Sequence, residues 1–422
     1  MTQSMKTHLT WSNRDLLSQW DQSLVTIKSK GSHVFTELFE YQAPQQGPLT
    51  GSIISIKDLF DVAGYKTQAG SVFIDHKKAI TDAGAVAALR EAGASFIGHT
   101  NMTELAYSGL GLNPHYGTPD NPIISGRIPG GSTSGGAVSV ALGIADVALG
   151  TDTGGSLRIP AAFCGVTGFK PSQQTVSRKG SLPLSDELDS VGPIANSVEE
   201  CELLWKILSG DIASESEKQP DLSQLTLVVP TNFGMNELDP LVEQGFTEVL
   251  ARLEAGGVTI KHRFVEALEA YKTLPVWQFS AFECDTYYGE HYDLNKVEMD
   301  PRVASRVARA KTMNANDFAQ TKAAREAFIQ GVENQEANTV FLLPTVAVLA
   351  PKLADLEENA EYDRLNLLCL RNTSLANVLN GCSVSLPFRF QNEPMGLMLT
   401  ANNGMDQQIL DLAKVLEASI NE

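Results

Sequence analysis

The chain has 422 residues, 43% hydrophobic and 19% charged, a balance that suits a globular enzyme with a large core and excludes a disordered or fibrous chain. Its formal net charge of −18 argues against unaided binding to nucleic acid or to an anionic membrane. The five cysteines, Cys164, Cys201, Cys284, Cys369 and Cys382, are scattered, with no C-x-x-C and no zinc-ligand spacing, so neither a disulfide framework nor a metal centre is expected.

In chain order, Met1 to Arg14 is polar and lacks a hydrophobic signal core, and no apolar run reaches membrane-spanning length. A cytoplasmic protein is expected. Residues 1–48 read as a helix followed by irregular chain, with Leu16, Leu17, Trp20, Leu24 and Ile27 at helical spacing, a segment packing on a body formed by residues 49–422. Gly51 to Ile56 alternates as a strand and runs into Lys57-Asp58. A lysine in that place ordinarily snorkels to water or pairs with a carboxylate. Held in an apolar site, it instead loses its proton near neutral pH and serves as a base. Alternation places Asp58 on the face opposite Lys57.

Thr81-Asp82 predicts the cap of a helix from Ala83 to Gly93, Ser95 to Gly98 a short buried strand, and Asn101 to Tyr107 the start of another helix. Strands and helices alternate through residue 170, which implies an α/β sheet with helices on its faces. Beyond it come a helix from Ser197 to Leu208, a polar surface excursion over 211–224, a strand from Leu225 to Val229, a helix from Pro240 to Leu253 and a strand from Gly257 to Ile260. Phe264 to Gly331 reads as mostly helical. Strands at Thr339–Leu343, Ser383–Leu386 and Met395–Leu399 follow, with helices over Asp363–Asn380 and Gln407–Ala418.

The stretch from Gly126 to Pro171 carries the chemistry. Gly130-Gly131-Ser132-Thr133-Ser134-Gly135-Gly136 and Thr151-Asp152-Thr153-Gly154-Gly155-Ser156 are two glycine turns rich in hydroxyls. Glycine lets backbone amides approach a bound group, although a pair of ordinary tight turns gives the same pattern. Gly136 is followed by Ala137-Val138, where a phosphate loop needs Lys and then Ser or Thr, and the spacing does not fit a dinucleotide fingerprint. Successive amides of Thr153, Gly154, Gly155 and Ser156 can converge on one oxygen, as an acyl-transfer oxyanion hole requires. Ser156 is then the natural nucleophile and needs a base. His8 and His33 lie in the leading segment and His76 in a polar turn, outside any triad motif, so Lys57 becomes the base, with Ser132, and Ser134 beside it, as proton relay.

Lys57 in SIKDLFDVAG, Ser132 in PGGSTSGG and Ser156 in GTDTGGSLRIPAAFCGVTGFKPS closely resemble the amidase signature family, from about Gly51 to the final helix. The resemblance implies a single α/β domain around a mixed central sheet flanked by helices. It implies that Ser156 attacks an amide carbonyl to form an acyl-enzyme, that Ser132 carries the proton and that neutral Lys57 is the base. It also implies a cis Gly131–Ser132 peptide, and a turn braced by Asp152 and Arg158, for which plain structural ion pairing is the alternative. Asn101, Met102 and Glu104 match a segment bordering the pocket. Met102 and Ser134 join Thr153, Gly154 and Gly155 as expected substrate or oxyanion contacts. Thr133 departs from the family's usual GGSS. The implied partner is a small-molecule amide, with no cofactor, no metal, no nucleic acid and no membrane, and a homodimer is left open.

Two other readings stand beside a free amidase. The glutaminase subunit of the tRNA-dependent amidotransferase shares the triad, but it typically carries an aspartate where this chain aligns Leu370, and Arg371-Asn372-Thr373-Ser374 looks more like free-standing amidases and the biuret- or allophanate-hydrolase branch. A catalytically inactive scaffold is the other, against which the joint presence of Lys57, Ser132 and Ser156 weighs.

Overall fold

Strands drawn from the whole length of the chain join in one eleven-stranded sheet. In the computed structural model, which describes residues 9, 11, 14–74, 77–211 and 222–421, they are β1 (Phe35–Leu38), β2 (Ile53–Lys57), β3 (Ser95–Thr100), β4 (Val147–Asp152), β5 (Thr167–Lys170), β6 (Ser190–Ala195), β7 (Thr226–Pro230), β8 (Ile260–Arg263), β9 (Thr339–Pro344), β10 (Cys382–Phe390) and β11 (Glu393–Ala401). Their order is β1-β3-β2-β4-β6-β5-β10-β11-β9-β7-β8. Pairing is parallel in β3-β2-β4 and in β9-β7-β8, and antiparallel through the middle and at β1. This is the expected mixed α/β sheet. His8, His76 and the 212–221 part of the surface excursion lie outside the described residues.

The parallel strands show why the site is dry. Every residue of β2, β3 and β4 is buried, as strands covered on both faces must be, and Lys57 is the last residue of β2. Helices cover the sheet where the sequence supplies caps. Ser197 accepts from the Glu200 amide at 3.2 Å to start Val198–Ser209, and Asp239 with Pro240 opens Pro240–Ala255.

Several local expectations change. The irregular chain after the first helix (Leu16–Lys30) contains β1, which pairs with β3 at the sheet edge. The helix after Asp82 is Gly84–Glu91 with no side-chain cap, because Asp82 instead binds Arg90 and the Ala63 amide. Asn101 to Tyr107 forms only a short 3-10 turn, since Leu105 and Ala106 take left-handed φ of 51° and 59° and break any helix. β8 begins at Ile260, where the predicted strand was to end. β6 was not anticipated, because Gly192 and Pro193 read against a central strand. It pairs with β4 along its length, while its bonds to β5 involve only Ile194 and Ala195, beyond the proline.

Candidate active site

β2 delivers Lys57 to the sheet interior with no solvent exposure. Its Nζ donates to Ser132 Oγ at 2.8 Å, to Thr151 Oγ1 at 2.9 Å and to the Thr151 carbonyl at 3.4 Å. Burial strips the ammonium of water and pulls the pKa down to about 7, although the charges of Asp189 and Asp152 oppose the shift. Asp58 takes no part. It lies past the strand end, accepts from the Gly70 amide at 3.2 Å and faces His99 Nδ1 at 3.6 Å, with burial pushing its carboxyl up to about 8.

Ser132 sits in the loop before the helix Ser134–Ala141, and the Gly131–Ser132 peptide is cis. Its carbonyl accepts from the Thr103 amide at 3.1 Å, and the Gly131 amide donates to the Gly109 carbonyl at 2.8 Å. Thr133 donates to the Thr151 carbonyl at 3.5 Å, so a hydroxyl is kept where the family has its second serine. Ser134 donates to the Asn101 carbonyl at 3.3 Å, while Met102 is buried with its side chain against Gly70. Among the described residues, no hydrogen bond links either of these two side chains to the Thr153–Ser156 turn.

That turn connects β4 to the helix Arg158–Cys164, and Ser156 within it is 3% exposed. Asp152 is its anchor. Its carboxylate accepts from the Gly155 amide at 2.8 Å, the Leu157 amide at 3.0 Å, and Arg158 Nε and Nη2 at 3.0 and 2.8 Å. Burial works against the charge, but the Arg158 guanidinium outweighs it and holds the carboxyl down to about 2. The Gly155 amide is thereby committed to Asp152. Gly155 has φ of 138°, and a Cβ there would lie 2.2 Å from Thr373 Oγ1, so only glycine fits.

The helix Asn359–Val378 packs its final turns on this loop. Thr373 and Ser374 hydroxyls donate to the Gly154 carbonyl at 2.5 and 3.2 Å, and Asn377 Nδ2 donates to the Asp152 carbonyl at 2.9 Å. Arg158 Nη1 donates to the Thr373 carbonyl at 2.7 Å. Leu370 reaches Gly154, where a Cβ would meet its Cδ2 at 3.2 Å. Thr151, Asp189, Thr373 and Asn377 were absent from the sequence-based site. Only the hydroxyl of Thr151, in the block GTDTGGS, carried a local signal. His33, His99 and His115 bond elsewhere, to Tyr116, Phe60 and Glu104. Among the described residues no group of three or more His, Cys, Asp or Glu could hold a metal ion, and no helix is long and apolar enough to cross a membrane.

A mixed sheet that buries a lysine against a serine, beside a braced glycine turn, defines an amide-hydrolase type of protein. The family model described as Amidase matches residues 26–410, and the chain belongs to that family. It is 31% identical over 395 residues to 2-amino-5-chloromuconic acid deaminase of Comamonas testosteroni, covering 90% of this chain and 84% of that one. It is 32% identical over 402 residues to Amidase 1 of Arabidopsis thaliana, covering 88% and 94%. The crystal structure of an amidase superposes with a TM-score of 0.82 at 30% identity, covering 97% of each chain. The chain is an enzyme of amide C–N bond hydrolysis.

Proposed function

We propose that Ser156 is the nucleophile, Ser132 the proton relay and neutral Lys57 the base in hydrolysis of a small carboxylic amide. The supporting observation is the buried Lys57 amine at 2.8 Å from Ser132 Oγ. A free lysine has a pKa of about 10.4, so only a trace is neutral at physiological pH, whereas one near 7 is largely available as a base. The Ser156 proton passes to Ser132 as the Ser132 proton passes to Nζ, and Ser156 Oγ bonds to the carbonyl carbon. Amides of Thr153, Gly154 and Ser156 receive the oxyanion, each such donor being worth about 2.7–4 kcal/mol of barrier. Collapse breaks the C–N bond, and the lysine proton returns through Ser132 to the departing nitrogen. Water then cleaves the acyl ester by the same route in reverse.

The acyl group we infer is uncharged. Leu370 packs on Gly154, at the position where the amidotransferase glutaminase would carry aspartate. The arginines around the turn are engaged: Arg158 with Asp152 and Asn377, Arg325 with Glu187 and the carbonyls of Asn377 and Val378, and Arg371 with the carbonyls of Gly234 and Asn236. A substrate carboxylate would be desolvated there without a partner. All five thiols are buried and none forms a disulfide, which supports a reducing, cytoplasmic setting.

Hexanamide and the monoamide of adipic acid, matched in length, form the test pair, with Ser156→Ala as control. Hexanamide should show the higher kcat/KM by roughly a hundredfold, and the variant should lose turnover and its labelling by a fluorophosphonate. Preference for the acid would defeat the uncharged-acyl reading. Retained activity in Ser156→Ala would defeat the nucleophile assignment.

A further inference from the structure

Asp189 immediately precedes β6, and the antiparallel register sets Ser190 opposite Asp152. The sheet therefore brings Asp189 against Thr153, the first residue of the nucleophile turn. Thr153 Oγ1 donates to Asp189 Oδ1 at 2.5 Å, and the Leu184 and Ser185 amides donate to Oδ2 at 2.9 and 3.1 Å. Burial of the carboxyl raises its pKa, and the three donors, together with the charge of Arg178, work against that rise by favouring the carboxylate.

Among the described residues no cation bonds to Asp189. Arg158 pairs with Asp152, Arg178 with the exposed Asp186, and Arg325 with Glu187. The other acidic group close by is Glu283, which accepts from the Ser185 hydroxyl, on the residue whose amide binds Asp189. The charges of two buried carboxylates, Asp189 and Asp152, act on Lys57, and Arg158 neutralises the second. Desolvation lowers the lysine, and Asp189 leads the charges that work against that lowering.

We propose that Asp189 is a positioning residue of this site, holding the Thr153 end of the nucleophile turn through its hydroxyl and supplying the buried negative charge that acts on Lys57. The proposal rests on the assignment of Lys57 as base. Neither role follows from Asp152, whose charge is spent on Arg158 and whose bonds hold the opposite end of the turn.

The two roles separate in two variants. Asp189→Asn keeps the shape and removes the charge, so the ammonium form of Lys57 loses support and the rising limb of kcat/KM against pH moves to lower pH, by about one unit. Thr153→Val keeps the charge and removes the hydroxyl bond. It should lower kcat by roughly tenfold and leave the limb within a few tenths of a unit, and Thr153→Ser should restore the rate. Thermal melts establish that each variant is folded. A limb that stays in place or moves up in folded Asp189→Asn overturns the proposal, and so does a wild-type kcat in Thr153→Val. Should Asp189→Asn fail to fold, the Thr153 pair decides alone. A wild-type profile with no rising limb would remove the base assignment itself, and the proposal with it.

Discussion

A lysine ammonium taken wholly out of water loses its hydration, and Lys57 meets that cost with two hydroxyls and a carbonyl rather than with a bonded carboxylate. Desolvation therefore wins over the more distant Asp189 and Asp152, and the amine titrates near 7. Only the neutral amine accepts a proton, so kcat/KM should rise with pH through one deprotonation near that value and level off above it. Lys57→Ala should cut the rate by about 10²–10⁴ and flatten the limb. Lys57→Arg should not rescue it, because guanidinium stays protonated. The measurement is kcat/KM from pH 5 to 9 on a substrate that does not titrate, and an alanine variant with an unchanged limb would sink the assignment. The sequence pointed to desolvation of this lysine and placed Asp58 on the opposite face, but it did not foresee Asp189 and Asp152 as the opposing charges. Asp58 is absorbed by the Gly70 amide and His99, and Asp61 by Thr67.

At the scale of elements, the nucleophile turn is held from two directions. Asp152 and Arg158 brace it from within, and the helix Asn359–Val378 braces it from outside. Thr373 and Asn377, four residues apart, lie on one helical face and both reach the turn. Asn377 also accepts from Arg158 Nη2 at 2.8 Å and donates to Asp152 Oδ1 at 2.9 Å, so it serves a buried ion pair. Asn377→Leu should destabilise the fold by about 2–3 kcal/mol, since bonds to charged groups are lost with their partners still buried. Chemical denaturation would show it, and a change within 0.5 kcal/mol or so would mean the pair is satisfied without Asn377. The failed helix at Asn101 to Tyr107 has a comparable cause. Glu104 is buried there, accepting from Ser71 at 2.7 Å, His115 at 3.1 Å and the Asp300 amide at 2.6 Å, and these distant partners set a backbone that helix propensity disfavours.

For the molecule as a whole, residues 14–48 are structural members of the sheet region. Trp20, Val34 and Phe39 are buried, β1 covers the edge of β3, and Arg14 joins Asp146 through Nη1 at 2.8 Å while bonding the Gly51 carbonyl at 3.0 Å. Asp146 in turn accepts from the Ile53 amide at 2.7 Å, at the start of the strand that carries Lys57. Removing residues 1–48 would uncover apolar surface and an unpaired strand edge. We expect the truncated chain to aggregate or to lose cooperative unfolding in calorimetry. A cooperative melt near the full-length temperature would instead mark those residues as a separable appendage.

By itself the sequence determined an α/β sheet with helices on its faces, most helices with clear periodicity, and the candidates Lys57, Ser132 and Ser156, while the mixed character of the sheet was implied only by the family resemblance. These are legible because glycine turns, hydroxyl clusters and a lysine ending an apolar strand are local patterns with local physical causes. Tertiary structure alone decided what surrounds them. The register of β4 with β6 brings Asp189 to Thr153 across 36 positions of chain, and Thr373 and Asn377 reach the turn from more than 200 residues away. The Gly155 amide, counted in sequence among four equivalent donors, is turned to Asp152. Such contacts depend on strand order, register and helix placement, which a single sequence does not display, because the pairing energy belongs to segments far apart in the chain.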